Sequence, residues 1–170
     1  IIYVKEHYKK DISAITEVIL EGVSPHFFQE PSQNSLASLN MPNAPFILAA
    51  GAISPRKNLA RVVEALNIIK AKTHHHLITV GGNGWESQEV QNLVKKYGLE
   101  SRVHFLGYVS DEQLRALYKT ADLFVYPSLF EGFGLTILEA MASGCPVITS
   151  SISCLPEIAG DAAHLVDPYN

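Results

Sequence analysis

Tyr126-Pro-Ser-Leu-Phe-Glu-Gly-Phe-Gly-Leu-Thr-Ile-Leu-Glu-Ala-Met-Ala-Ser-Gly144 is the stretch whose reading decides the fold. It follows a short apolar run, Leu123, Phe124 and Val125, that has the character of a buried strand. A loop containing Gly132 and Gly134 comes next, then a helix that Gly144 is placed to end. A strand feeding a glycine-loosened turn and a helix N-terminus is how α/β proteins hold phosphates, because unpaired N–H groups and the positive end of the helix converge on the turn. Two carboxylates flank it: Glu131 lies in the loop, and Glu139 lies eight residues on, inside the helix.

The same pattern recurs upstream. From Ala44, apolar runs alternate with polar or glycine-rich turns and amphipathic segments. Strands are expected at Phe46 to Ala50, Leu77 to Val80, Val103 to Leu106, Leu123 to Val125, Pro146 to Thr149 and Ala163 to Val166. Leu59, Val62, Val63, Leu66 and Ile69 fall at helical spacing after Asn58, which is expected to cap that helix. Val90, Leu93, Val94 and Tyr97 mark a second helix stopped by Gly98, and Ser110-Asp-Glu-Gln113 is a capping box opening a third. Strands that alternate with helices and read as continuous apolar runs predict a Rossmann-like, doubly wound parallel sheet with ligands at the carboxyl ends of its strands.

Before this domain (44–170), residues 1–20 hold two short apolar runs too small to form a core, and 21–43 is rich in Pro, Asn and Ser, as in a linker or surface loop. The chain has 170 residues, 47% of them hydrophobic, enough for one substantial core. Its net charge is −4 and no Lys/Arg run tracks a phosphate backbone, which argues against general nucleic-acid binding. Any bound anion must be gripped locally. Cys145 and Cys154 lack metal-ligand spacing and are read as reduced structural thiols of a cytoplasmic protein.

The turn after the first strand, Gly51-Ala-Ile-Ser-Pro-Arg-Lys-Asn58, supplies local cations. Arg56 can bind phosphate oxygens bidentately and Lys57 offers a movable point charge. Taken alone the pair would be two solvated loop cations; a second anion-ready turn at 126–134 on the same sheet edge lets both turns grip one diphosphate. Glutamates near helix starts are usually exposed or capping, but Glu131 and Glu139 sit among Phe130, Phe133, Leu135 and Leu138, and carboxylates suit ribose or sugar hydroxyls. A glycosidase-like acid/base pair is the competing use of two carboxylates, and it has no need of a diphosphate grip. Gly82-Asn-Gly-Trp-Glu-Ser87 faintly matches a dinucleotide fingerprint without its third glycine, and a tight turn explains it better. His74-His-His76 has no acidic or Cys partner at ligand spacing and is read as a surface turn; Ser128 and Ser143 lack a nucleophile elbow.

Glu131-x7-Glu139, in company with Ser54-Pro-Arg-Lys-Asn58, Gly81-Gly-Asn-Gly84, Val103-His-Phe-Leu-Gly-Tyr-Val109, Pro146-Val-Ile-Thr-Ser150 and Leu155-Pro-Glu157, resembles the C-terminal, donor-binding domain of family-4 retaining glycosyltransferases, which have the two-domain GT-B architecture. The resemblance implies a hexosyltransferase of cell-envelope polysaccharide biosynthesis that uses a nucleotide-diphosphate sugar of the GDP or UDP type, with mannose suggested by family frequency. No cofactor and no obligatory metal are implied. The acceptor, a saccharide or a lipid-linked one, would be bound by an N-terminal domain of which 1–20 is the remnant, and the final C-terminal helix is expected to be missing. A cytoplasmic location follows, with peripheral association of the full-length protein at the inner membrane face. By position, Lys57 and Arg56 would neutralise the diphosphate, backbone groups of Phe133, Gly134 and Leu135 would meet the distal phosphate and sugar, and Glu131 would hold sugar hydroxyls. Glu139 would take the ribose, the loop around Val109 the base, and Gly51 and Gly82 would line the donor site. Many members carry Gly-Arg where this chain has Gly51-Ala52, so either Arg56 is expected to substitute or the chain belongs to a Pro-Arg-Lys-Asn subgroup. A non-catalytic nucleotide-binding module and a sugar-nucleotide epimerase are the alternatives.

Overall fold

The computed structural model describes residues 8, 9, 13, 16, 17, 19–82 and 87–170, without the side chain of Ser87. The two apolar runs expected within 1–20, and residues 83–86 of the glycine-rich turn, lie largely or wholly outside these. Strands β1 (Phe46–Ala50), β2 (His76–Val80), β3 (Val103–Gly107), β4 (Leu123–Tyr126), β5 (Val147–Ser150) and β6 (His164–Val166) form one all-parallel sheet in the order β3-β2-β1-β4-β5-β6. This is the expected Rossmann-like α/β domain. Between them run helices α1 (Leu59–Ile69), α2 (Ser87–Lys96), α3 (Asp111–Thr120), α4 (Leu135–Ala142) and α5 (Leu155–Ala159).

Two cores explain why the sheet is apolar on both faces. Val62, Val63 and Leu66 of α1 and Val90 and Val94 of α2 bury against Ala49, Leu77 and Val103 on one face. Leu117 and Tyr118 of α3, Ile137 and Ala140 of α4 and Leu155 of α5 bury against Leu48, Ile78, Phe124 and Val147 on the other. Each fully buried Leu or Phe contributes roughly 2 kcal/mol of apolar burial, so the helices are fixed by these contacts more than by their own propensity. Ile47, Leu123, Val125, Ile148 and Val166 line an apolar groove on the sheet that reaches Asn170.

Helix ends follow the local chemistry with one exception. Ser110 and Gln113 form the reciprocal capping box of α3. Gly144 takes φ +78° and closes α4, with its N–H on Met141 O and that of Cys145 on Ala140 O. Asn58, expected to cap α1, stands at its N-cap position but its side chain makes no capping hydrogen bond. It adopts φ 59° at the junction of a 3-10 turn, Pro55–Lys57, with α1, and its amide donates across the molecule to Pro127 O (3.1 Å) and Pro168 O (2.9 Å). Asn tolerates the left-handed region well, and that geometry turns its side chain from its own helix toward the next loop.

The segment 21–43 is docked rather than free. Phe27, in a 3-10 turn at Pro25–Phe28, enters the core, while Val23, Leu36, Leu39 and Met41 pack against it. Ser32 and Ser35 hydroxyls donate to Glu112 of α3. Of the histidine run, His76 opens β2 and pairs with His104 of β3 (Nδ1 to Nε2 2.8 Å, rings stacked).

The sheet order places the site. β1 leads outward through β2 to β3, the chain then crosses to β4 on the other side of β1, and it continues outward to β6. Strand order thus reverses between β1 and β4, whose registers join Ile47 to Leu123 and Leu48 to Phe124. The turns leaving these two strands are forced to be neighbours at the carboxyl edge, where α/β sheets bind ligands.

Candidate active site

The β1 turn, 51–58, and the β4 loop, 127–134, are stitched together by backbone and side chain. Leu129 N–H donates to Arg56 O (2.8 Å), Arg56 returns a guanidinium hydrogen bond to Phe130 O (2.9 Å), and Asn58 holds Pro127 O. The two cations and the loop carboxylate meet on this frame. Lys57 Nζ is 2.9 Å from Glu131 Oε1, and Arg56 Nη1 is 2.6 Å from Glu131 Oε2. Lys57 also donates to the buried Tyr126 hydroxyl at the end of β4, with its ammonium 4.4 Å from that ring's centroid.

Burial separates the roles. The Glu131 and Lys57 side chains are only 10% and 15% exposed, whereas Arg56 is 46% exposed. Burial works against charge on Glu131, but hydrogen bonds led by that of Lys57, with the charge of Lys57 and a hydrogen bond from Arg56, outweigh it and hold the carboxyl below its ordinary value. Glu131 is therefore an anion at neutral pH, and two cations on one carboxylate leave a local charge of about +1 for an incoming anion. Gly51, at φ +120°, makes room for this: a Cβ there would sit 3.1 Å from Lys57 Cε. Gly81 lets the β1 and β2 turns close up, since its Cβ would fall 2.3 Å from Gly51 O. Gly82 is exposed beside them and accepts from Ile53 N–H (3.2 Å).

Across the same loop, Gly134 takes φ +105° immediately before α4. The N–H groups of Gly132, Phe133, Gly134 and Leu135 have no acceptor among the described residues. They form, with the N-terminus of α4, a set of free donors beside the cations. Glu139 is on α4 but apart from the Glu131 cluster, half-buried against α3. Its carboxyl is raised above the ordinary value by burial and by Asp111 at the start of α3, against an opposing effect of the Tyr118 hydroxyl. The Val109 side chain is in the core, so its loop presents backbone and the Tyr108 ring, 86% exposed. Among the described residues, no group of three His, Cys, Asp or Glu side chains is placed to hold a metal ion.

Arg56, Lys57 and Glu131 are thus brought together, with Gly51 beside them and Phe133, Gly134 and Leu135 at the adjoining helix start, while Glu139 and Val109 stand further along. Sequence reasoning missed Tyr126, although it opens the decisive stretch, because an apolar-edge tyrosine at a strand end gives no sign that its hydroxyl will face a lysine. It also missed Ser153 and Cys154, which hold the Glu131 loop from behind.

The glycosyl transferases group 1 family matches residues 32–170. This chain belongs to that family. O-antigen chain mannosyltransferase B of Escherichia coli is 43% identical over 125 residues, which are 72% of this chain and 33% of that protein. The chain therefore spans about a third of the length of this relative. Among solved structures, the C-terminal domain of the group 1 protein LpcC from Francisella tularensis superposes with a TM-score of 0.70 at 28% identity, covering 86% of this chain and 80% of that one. Anabaena HepE in complex with UDP-glucose superposes with a TM-score of 0.68 at 26% identity, covering 86% of this chain and 40% of that one. No helix among the described residues is long and apolar enough to cross a membrane.

Proposed function

We propose that the chain is the donor-binding domain of a retaining hexosyltransferase that moves mannose from a GDP- or UDP-type sugar to a saccharide or lipid-linked acceptor of the cell envelope. The observation that carries this is the convergence of Lys57, Arg56 and Glu131 beside the free N–H groups at the start of α4. A sugar diphosphate offers both kinds of group such a site can use. Its phosphates take the cations and helix end, and its sugar hydroxyls take the carboxylate.

As the anomeric C–O bond of the donor breaks, negative charge builds on the leaving diphosphate. Lys57, Arg56 and the α4 N-terminus stabilise that charge in place of a metal ion. Glu131 orients the sugar, Glu139 holds the ribose, and the backbone of the loop at Val109 meets the base, with Gly51 and Gly82 lining the donor path. The acceptor hydroxyl oxygen bonds to the anomeric carbon on the face the diphosphate leaves, and its proton passes to the leaving phosphate oxygen, which retains configuration without a protein nucleophile. Mannose is favoured by the mannosyltransferase named among the relatives, and its O-antigen role points to a cytoplasmic enzyme working at the inner membrane face. The acceptor lies against an N-terminal domain beyond these 170 residues.

Titrating the chain with GDP, UDP and ADP, alongside Lys57→Ala and Glu139→Ala, tests the reading. Binding of a nucleoside diphosphate that both substitutions weaken is expected, with no sugar transfer by the chain alone. Absence of binding, or indifference to both substitutions, refutes the donor site; sugar transfer by this chain refutes its assignment as the donor half only.

A further inference from the structure

The loop that carries Glu131 is held from behind by the turn between β5 and α5. Ser153 Oγ accepts a hydrogen bond from Glu131 N–H (3.1 Å) and donates one to Glu131 O (3.1 Å). Cys154 Sγ is turned to the same carbonyl (3.3 Å) and to Phe133 O (3.0 Å), so its thiol donates between them. Leu155 completes the contact: a Cβ on Gly134 would meet its Cδ2 at 3.0 Å, so the loop packs on the start of α5 as closely as a glycine permits. Ser153 itself sits at φ 64°, uncommon for a residue with a side chain, and the two hydrogen bonds of its hydroxyl are what that conformation gains.

Peptide geometry converts this clamp into a consequence for ligands. In a trans peptide the C=O and the N–H point in opposite directions. Turning the carbonyls of Glu131 and Phe133 toward Ser153 and Cys154 therefore turns the N–H groups of Gly132 and Gly134 away from that turn. Those two N–H groups are among the donors with no acceptor among the described residues. A flexible Gly-Phe-Gly loop with free peptides would present either its N–H or its C=O edge to a ligand, and the carbonyl edge would repel an anion.

We propose that Ser153 and Cys154 are positioning residues for the distal phosphate of a nucleoside diphosphate, acting by fixing the peptide planes after Glu131 and Phe133 so that only N–H groups face it. The inference rests on the donor-site reading above and adds to it the element that sets the loop's polarity.

The test is the preference of the 170-residue chain for diphosphate over monophosphate, measured by calorimetric titration with GDP and GMP and with UDP and UMP. Ser153→Gly removes the hydroxyl while relaxing the positive φ, Cys154→Ala removes the thiol, and Cys154→Ser restores a donor to the same carbonyls. Ser153→Gly and Cys154→Ala are expected to cut the diphosphate preference about tenfold, the scale of one charge-assisted hydrogen bond, with monophosphate affinity changed less than about twofold. Cys154→Ser is expected to recover most of it. A general loss of structure would lower both affinities together, so an equal loss overturns the proposal, as does a preference that survives both Ser153→Gly and Cys154→Ala. If the unsubstituted chain binds nucleotide but shows no preference for diphosphate, the clamp is overturned while nucleotide binding stands. If it binds none, the donor-site reading falls and the clamp with it.

Discussion

Replacing Glu131 by Gln is expected to tighten the binding of a bare nucleoside diphosphate while weakening the domain. In the free protein Glu131 holds both cations, at 2.9 Å from Lys57 and 2.6 Å from Arg56. At an effective dielectric of about 20, each contact is worth roughly 6 kcal/mol of gross Coulomb attraction. Most of that is offset by desolvation of side chains only 10% and 15% exposed, leaving a net of about 1–2 kcal/mol. A diphosphate must compete for the same cations and approach the same carboxylate. Removing the carboxylate charge returns that 1–2 kcal/mol to the ligand, an affinity gain of about 5- to 30-fold for GDP or UDP. The donor sugar behaves differently, because the amide is a poorer acceptor for sugar hydroxyls than the carboxylate, so the nucleotide-sugar gains less than the bare nucleotide. Unfolding in urea should show a loss of about 1–3 kcal/mol, since Lys57 keeps a partly buried charge after losing its carboxylate partner. The measurement is calorimetric titration of both ligands into both proteins. Weaker binding of the bare diphosphate to Glu131→Gln would refute the view of Glu131 as a competing counter-ion and make it a structural anchor of the loop.

Three further outcomes follow from the packing and the charges. Gly81→Ala places a Cβ 2.3 Å from Gly51 O at φ +129°, so a destabilisation of about 3 kcal/mol or more is expected in urea unfolding, with nucleotide binding lost as the β1 turn is displaced. Asn58→Gly keeps the left-handed backbone but drops the bonds to Pro127 and Pro168, costing about 1–2 kcal/mol; Asn58→Ala should cost about 1 kcal/mol more because alanine disfavours that conformation. Stability should also fall in acid: burial opposes but Lys57-led hydrogen bonds lower Glu131, and hydrogen bonds from Ser32 and Ser35, with Arg115, lower Glu112 to about 2. Both carboxyls are depressed in the folded state, so their contribution is complete above the ordinary carboxylate pKa and lost as pH drops below it. Glu131→Gln should flatten that acid limb, and an unchanged limb would remove Glu131 from the account.

The sheet was legible because its causes are local. The apolar runs at Phe46, Leu77, Val103, Leu123, Pro146 and Ala163 predicted all six strands within a residue or so, and the Ser110–Gln113 box and Gly144 marked ends that the backbone uses. Arg56, Lys57 and Glu131 were legible as a group because strand alternation alone puts their turns on one edge. What could not be read depended on pairings across long separations. Asn58 looks like a cap because its neighbours are helical, but carbonyls 69 and 110 residues away claim its amide. Gln29 to Asn43 looks like a linker by composition, yet spaced Leu36, Leu39 and Met41 find a surface that only the finished fold supplies. Ser153 and Cys154 look like turn residues, and nothing in their spacing says that a loop 20 residues upstream will need its carbonyls held.

The stretch from Tyr126 to Gly144 is then more than a phosphate loop with two glutamates. Its first residue supports the lysine from below, and Glu131 ties down both cations from beside. The peptides after Glu131 and Phe133 are turned by a separate segment, so the stretch does not determine its own polarity. A site arranged this way rests with both cations shared by one carboxylate, so a ligand gains the uncompensated positive charge and the difference between its own oxygens and the Glu131 carboxylate. That favours a ligand bearing more than one negative oxygen plus hydroxyls that can occupy the released carboxylate, which a simple phosphate lacks. The selectivity expected of the site therefore comes from exchange of partners: diphosphate for carboxylate on the cations, and sugar hydroxyls for cations on the carboxylate.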